Sequence, residues 1–309
     1  MLRATASRAV SPVLVLAQLV RSLPDFPGRD TMLATLLRPI LRRDGSVSGH
    51  FGGGLRFEGN PAIDSNVSEM MLLRYARPAL APVLDAALGP GAVFADVGAN
   101  LGLYTLWAAR RVSTQGRVHA FEPVPEVRER LRRNVELNSF ACVEIVASAV
   151  GAEAGSVTLN RVEGGSGRTS RYVHGAAGSI EASVVTLDAH FRGRPPPDLL
   201  KIDVEGMELQ VLLGSQALLA SESAPAVVFE AGDELLTAAG TSYAALLEVL
   251  ERAGGYQAFA LTPRGLRREP AGAATAGSLN VLALRPDLAA HERVREQLAG
   301  HRFEANQNA

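Results

Sequence analysis

The chain has 309 residues, 47% hydrophobic and 20% charged, with a formal net charge of −1. These globular proportions exclude a disordered or fibrous chain, and without a basic excess no nucleic-acid partner is expected. The single cysteine, Cys142, excludes an internal disulfide and any multi-cysteine zinc or iron–sulfur centre; in the apolar run 142–146 it reads as a small buried strand residue.

One count stands out. Thirty of the 31 basic residues are Arg, and the other is Lys201. Together with many Ala and Gly, this looks like the codon bias of a GC-rich bacterial genome, which exchanges Lys for Arg wherever either serves. A surviving Lys marks a position where the two differ.

In chain order, a basic start at residues 1–8 precedes the apolar run 10–20, which contains Pro12 and Gln18. The run is too short to span a bilayer and shows no clear small-residue cleavage site before Arg21; it reads as an amphipathic helix, with a signal peptide as the alternative. Nothing later is long and apolar enough for a transmembrane segment, and the expected location is cytoplasmic. Residues 1–50 read as a helical lead-in broken at Pro24 and Pro27, and residues 50–57 as a Gly-rich hairpin. Residues 68–88 read as a helix with Ser68 as N-cap, divided by Pro78 and Pro82.

From residue 92 strands and helices alternate. The pattern predicts strand 92–97, helix 101–112, strand 117–121, helix 126–137 and strand 143–150. Val127, Leu131 and Val135 form one face of the second helix. Two β-rich pieces, 156–160 and 183–187, flank a Gly/Ser-rich loop. Then come strand 199–204, helix 208–219, strand 226–229 and helix 243–253, stopped by Gly254 and Gly255. Two antiparallel strands, 256–261 and 280–284, close the series. Strands joined by crossover helices require a mostly parallel sheet with helices on both faces.

Three segments carry chemistry. Asp96-Val97-Gly98-Ala99-Asn100-Leu101-Gly102 lies at the carboxyl end of a strand, before a helix. Gly98 lets a ligand approach the backbone, and the helix N-terminus offers free N–H groups. Its glycines are four apart, unlike the G-x-G-x-x-G of a dinucleotide site, which suits a ligand without a pyrophosphate. Glu122, at the end of the next strand in Phe121-Glu122-Pro123, can accept hydrogen bonds from both hydroxyls of a ribose, or can serve as a helix N-terminal acid. In Lys201-Ile202-Asp203-Val204-Glu205-Gly206, strand alternation puts Lys201, Asp203 and Glu205 on one face. Three charges there are costly unless paired or functional.

In this order and spacing the segments resemble the FkbM family of S-adenosylmethionine-dependent methyltransferases. Val184-Val185-Thr186-Leu187-Asp188 and Asn280-Val281-Leu282-Ala283 add to the resemblance, which covers roughly residues 65–285. It implies a class I, Rossmann-like methyltransferase fold: a seven-stranded, mostly parallel sheet with one late antiparallel strand and helices on both faces. The expected division is an N-terminal helical and hairpin extension over 1–64, a methyltransferase domain over 65–285 and a helical tail over 286–309. The resemblance implies S-adenosylmethionine as cofactor. Asp96 and Gly98 would line its amino-acid and sulfonium end, with Asn100 and Tyr104 close by. Glu122 would hold the ribose, and Ser148 and Ala149 would lie near the adenine. Asp203 would face the methyl group or the acceptor. A small-molecule or glycan acceptor, methylated on a hydroxyl of a sugar, polysaccharide or secondary metabolite, is implied.

Methyl transfer from a sulfonium is an in-line displacement that needs an aligned nucleophile and a proton acceptor, and no metal. Asp203 and Glu205 lead as the base, Glu230 at the next strand end comes third, and His174 and His190 are weaker candidates. Lys201 is expected to pair with Asp203 or Glu230. The loop 164–178, with Arg168, Thr169, Ser170, Arg171, Tyr172 and His174, is placed to cover a substrate. His50, His119, His291 and His301 read as structural or solvent-facing. A nicotinamide-dependent oxidoreductase on a related sheet is disfavoured by the glycine spacing, and a non-catalytic methyltransferase-like binding protein by the acids kept at all three segments. The sequence carries no recognition code for the acceptor and no sign of oligomeric state.

Overall fold

The computed structural model describes residues 47–59, 78–161, 169–170, 178–270, 272–273 and 278–303. The lead-in 1–46, residues 68–77 of the expected helix, and Arg168, Arg171, Tyr172 and His174 of the expected substrate loop lie outside the described residues.

The chain divides into two compact units: residues 1–77 with 164–166, and the remainder. In the first, β1 (Val47–Phe51) and β2 (Leu55–Gly59) pair antiparallel across Gly52-Gly53-Gly54, all three with positive φ. The Phe51 and Phe57 rings meet edge to face, 5.9 Å apart.

In the second unit, α1 (Ala81–Ala87) is followed by β3 (Val93–Val97), α2 (Leu103–Val112), β4 (Arg117–Phe121), α3 (Pro125–Leu137) and β5 (Val143–Val146). After the segment carrying the small sheet come α4 (Leu187–His190), β10 (Leu199–Ile202), α5 (Glu208–Leu213), α6 (Gln216–Ala220) and β11 (Ala226–Gly232). The series ends with α7 (Asp233–Ala238), α8 (Tyr243–Gly254), β12 (Gln257–Thr262), β13 (Gly265–Glu269), β14 (Ser278–Leu284) and α9 (Ala289–Leu298). The main sheet has the order β13-β12-β14-β11-β10-β3-β4-β5. The run from β11 to β5 is parallel throughout, while β14 is antiparallel to both β11 and β12. β3 and β10 are fully buried along their length, as near-continuous apolar runs covered on both faces must be.

Four expectations need correction. The main sheet has eight described strands, not seven: a two-residue turn at Pro263 and Arg264 folds β13 back on β12 as an antiparallel edge, pairing Leu266 with Leu261. The expected strand 143–150 is two strands. β5 belongs to the main sheet, and β6 (Ala149–Val150) joins a small sheet of order β6-β9-β7-β8 with β7 (Gly155–Arg161), β8 (Thr169–Ser170) and β9 (Ser179–Val185). The expected helix 208–219 is interrupted at Gly214, which packs on the Gly151 backbone; a Cβ there would lie 2.0 Å from the Gly151 carbonyl oxygen. Helix resumes at α6 with help from the segment 184–188. Thr186 caps α4 by accepting from Ala189 N, and the Asp188 carboxylate accepts from Ala217 N and Leu218 N at the start of α6. Finally, β10 ends at Ile202, so Glu205 is not on the strand.

No helix among the described residues is long and apolar enough to cross a membrane.

Candidate active site

The carboxyl ends of β3, β4, β10 and β11 bring Asp96, Glu122, Lys201, Asp203 and Glu230 to one end of the sheet, where open α/β sheets bind ligands. A separate hollow of about 480 Å³, bordered by Asp198, Glu222 and His291, lies at the amino ends.

Register sets the centre. Lys201 on β10 stands opposite Asp96 on β3 and Val228 on β11. Its ammonium lies 3.1 Å from Asp96 Oδ1 and 3.4 Å from Asp203 Oδ2, and donates to the Gly98 carbonyl at 3.2 Å. It also sits 5.2 Å from the centroid of the Tyr104 ring, a cation–π distance. Asp96 and Lys201 are buried, while the Asp203 side chain is 37% exposed. Thr105 on α2 donates to the other Asp96 oxygen at 2.6 Å. Burial alone would drive the Lys201 pKa down; Asp96 and Asp203 outweigh it, and the net shift is upward, so Lys201 is an ammonium. Burial also raises the Tyr104 hydroxyl pKa, partly relieved by Lys201 and reinforced by Asp203 and Glu230. Tyr104 therefore remains a neutral phenol facing this group of charges.

Two turns complete the site. Gly98 has φ 80°, and a Cβ there would lie 1.8 Å from the Asp203 carbonyl oxygen, so the β3–α2 turn passes directly against the end of β10. Asn100 comes next in the left-handed region, φ 51°. Its N–H donates to Glu122 Oε2 at 3.0 Å, and Val124 N–H donates to Glu122 Oε1 at 2.9 Å. Burial lifts the Glu122 pKa to about 7 against these hydrogen bonds. The second turn, after Asp203, places Glu205 at φ 53°. It is held by Glu208, whose Oε1 accepts from Val204 N and Gly206 N at 3.2 Å each. Glu208 is buried, and burial raises its pKa to about 7 as well. Ser148 lies beyond β5, its hydroxyl 2.8 Å from that of Ser183, and Ala149 begins β6.

Of the candidates from sequence, Asp96, Gly98, Tyr104, Lys201 and Asp203 are in one contact group, and Asn100 joins Glu122. Glu230 lies one strand over, opposite Asn280 of β14, close enough for its charge to act on Tyr104. Thr169 and Ser170 form β8 in the small sheet, paired with Arg161 and Asn160. Sequence reasoning missed Thr105 and Glu208. Glu208 had a signal: an acid two residues after Gly206, at the start of a helix, can accept from the turn before it. It also missed the surroundings of His119, which meets His190 and Glu144.

The strand order 3-2-1-4-5 with an antiparallel hairpin-like edge, acids at the ends of the first, second and fourth strands and a glycine turn after the first together define the class I methyltransferase fold. The chain belongs to the FkbM methyltransferase domain family, whose model matches residues 96–258, more than half its length. It is similar to Methyltransferase 1 of Beauveria bassiana, 29% identical over 141 residues, covering 38% of this chain and 56% of that protein. It is also similar to Hexuronic acid methyltransferase AglP of Haloferax volcanii, 29% identical over 139 residues, covering 44% and 55%. The chain thus spans just over half the length of these relatives. Among solved structures, it resembles an FkbM methyltransferase from Methylobacillus flagellatus with a TM-score of 0.40, 16% identity and coverage of 62% of this chain and 43% of that one.

S-adenosylmethionine is the cofactor this membership implies. The residues present fit it. Among the described residues, Asn100 Oδ1 is a buried acceptor without a donor, and each Glu122 oxygen keeps a lone pair beyond its backbone donor. Ammonium and ribose hydroxyl groups are the donors such acceptors require.

Proposed function

We propose that the chain transfers a methyl group from S-adenosylmethionine to an oxygen of a small hydroxyl-bearing acceptor, a sugar, polysaccharide unit or secondary metabolite. The bound cofactor would supply a sulfonium methyl whose carbon an oxygen nucleophile can attack, with the thioether S-adenosylhomocysteine as leaving group. Asp96, Gly98, Asn100, Tyr104 and Glu122 hold it, with Ser148 and Ala149 toward the adenine, and Asp203 accepts the acceptor's proton.

The observation that carries this reading is the asymmetry of the two carboxylates on Lys201. Asp96 is fully buried and has a second donor in Thr105, so it serves the cofactor end of the site and is not the group that meets the acceptor's hydroxyl. Asp203 is the partly exposed one, with Oδ2 toward Lys201. Its remaining lone pairs can receive a proton from a hydroxyl as the new bond forms, while Lys201 fixes its direction. Glu205 and Glu230 are the alternative carboxylates for this role. The name of the Haloferax relative supports a sugar-acid acceptor. A hexuronic acid offers hydroxyls and a carboxylate, and only the hydroxyls need a base.

The test is Asp203→Asn, assayed with labelled methyl donor on a panel of sugars, uronic acids and hydroxylated metabolites. The expected result is cofactor affinity within about threefold of wild type and a loss of turnover of about 10²–10⁴-fold, the range of general-base removal. Unchanged turnover on a hydroxyl acceptor removes Asp203 from that role, and a product methylated on nitrogen or carbon overturns the oxygen assignment.

A further inference from the structure

His119, Glu144 and His190 form a group of their own beside the residues proposed for methyl transfer. His119 on β4 and Glu144 on β5 are register partners, and His190 ends α4. His119 Nδ1 lies 3.1 Å from His190 Nε2 and 3.4 Å from Glu144 Oε2, and each of the three residues offers one ligand atom within 4.8 Å of those of the other two. His119 is buried and the Glu144 side chain is 45% exposed, so the group is closed on the sheet side and open at the edge. Phe191 and Phe121 pack edge-on against the imidazoles, with ring centroids 4.9–5.0 Å apart, which restricts both rings.

Three potential ligand atoms gathered in one place can share a cation between them. A proton on His119 Nδ1 can serve His190 or Glu144 well, but not both, because a hydrogen bond weakens steeply away from linearity. A four-coordinate metal with bonds of about 2.05 Å holds its ligand atoms about 3.3 Å apart. The observed 3.1 and 3.4 Å bracket that spacing. Arg194 Nη1 lies 3.0 and 2.9 Å from the two Glu144 oxygens. It occupies one lone pair of each and leaves the other, so it can act as the outer partner that orients a ligating carboxylate.

We infer that His119 Nδ1, His190 Nε2 and Glu144 Oε2 form a binding site for a divalent transition metal of the zinc class, separate from the methyl-transfer site, with a fourth position open to water. Two imidazoles and one carboxylate select zinc, cobalt, nickel or copper over magnesium or calcium. The ion would tie α4 to the β4–β5 edge of the sheet, and α4 in turn carries Asp188, which caps α6.

The experiment uses the full chain, freed of any histidine tag and stripped of metal with a chelator. Co²⁺ is titrated while the visible d–d absorption of a four-coordinate ion is monitored, and Zn²⁺ affinity is read by competition with a chromophoric chelator. One equivalent is expected to bind, with a rise in Tm on adding Zn²⁺. His190→Ala and Glu144→Gln should each weaken Zn²⁺ by at least about tenfold. Glu144→Gln keeps an oxygen for Arg194, so it separates ligation from folding. The proposal is overturned if no stoichiometric ion binds at concentrations up to about 100 μM, or if both variants retain wild-type affinity, which would place the ion on other histidines.

Discussion

Lys201 shows how much one side chain can fix. Its ammonium faces three oxygens, from Asp96, Asp203 and Gly98, at 3.1–3.4 Å, with the Tyr104 ring on a further side. It is 2% exposed. A compact tetrahedral cation meets three oxygens in different directions, whereas a guanidinium is planar and wider and presents a fork. Lys201→Arg should therefore lower turnover by about 10²-fold through a misplaced Asp203 and destabilise the fold by about 1–3 kcal/mol through overpacking. Steady-state kinetics and thermal unfolding read both effects; a fully active, equally stable variant would mean the pocket accommodates either cation. The composition had already isolated this position, because Lys201 is the single Lys among 31 basic residues. The main partner was not legible. Asp96 is 105 residues away in sequence, and only the pairing of β10 with β3 sets them opposite. The pairing of His119 with Glu144 was hidden for the same reason, since register across parallel strands is a tertiary fact.

At the scale of elements, the active end of the sheet is made by turns that interrupt regular structure. The β3–α2 turn runs so close to β10 that residue 98 has no room for a side chain. Gly98→Ala combines an unfavourable positive φ, about 1–3 kcal/mol, with an overlap that forces Asp203 or the turn to move. The expected outcome is a Tm several degrees lower and a cofactor Kd raised at least tenfold, measured by calorimetry on the same preparation; wild-type values for both would show that the turn is free to withdraw from β10. The alternation of strands and helices, the hairpin at β1–β2 and the strand-end positions of Asp96 and Glu122 could all be read from hydrophobic period and glycine placement. Strand alternation misled once. It carried β10 on to Glu205, but the strand stops at Ile202, and Glu208 captures the Val204 and Gly206 N–H groups in the next turn. A backbone donor satisfied by a side chain cannot extend a ladder, and no periodicity reports that exchange.

Across the whole molecule, buried titratable groups pull stability in opposite directions as pH changes. Glu122 and Glu208 have folded pKa values near 7, chiefly from burial. Between the ordinary carboxylate value and 7 the folded chain keeps protons that the unfolded chain has released, so stability falls as pH rises through that window and stays low above it. His291 is held neutral by burial, with a pKa of about 4, Nδ1 accepting from Arg285 N and Nε2 donating to the Ala224 carbonyl. His119 behaves likewise in the metal-free protein. For the histidines the unfolded chain takes the proton first, so stability falls as pH drops from about 6.5 toward 4. The two pairs oppose each other in weakly acidic solution. Above pH 7 the histidines are neutral in both states, and only the carboxylate cost remains. Glu208→Gln isolates that cost, because its neutral amide resembles the protonated acid and every other group is common to both proteins. The variant should match wild type near pH 5 and exceed it at pH 8 by about 1–3 kcal/mol, a shift of a few degrees in Tm. A Tm difference that stays constant from pH 5 to 8 would show that Glu208 ionises normally while buried. If the difference grows with pH while turnover falls in the variant, the wild-type chain retains a destabilising charge because the turn bearing Asp203 depends on it.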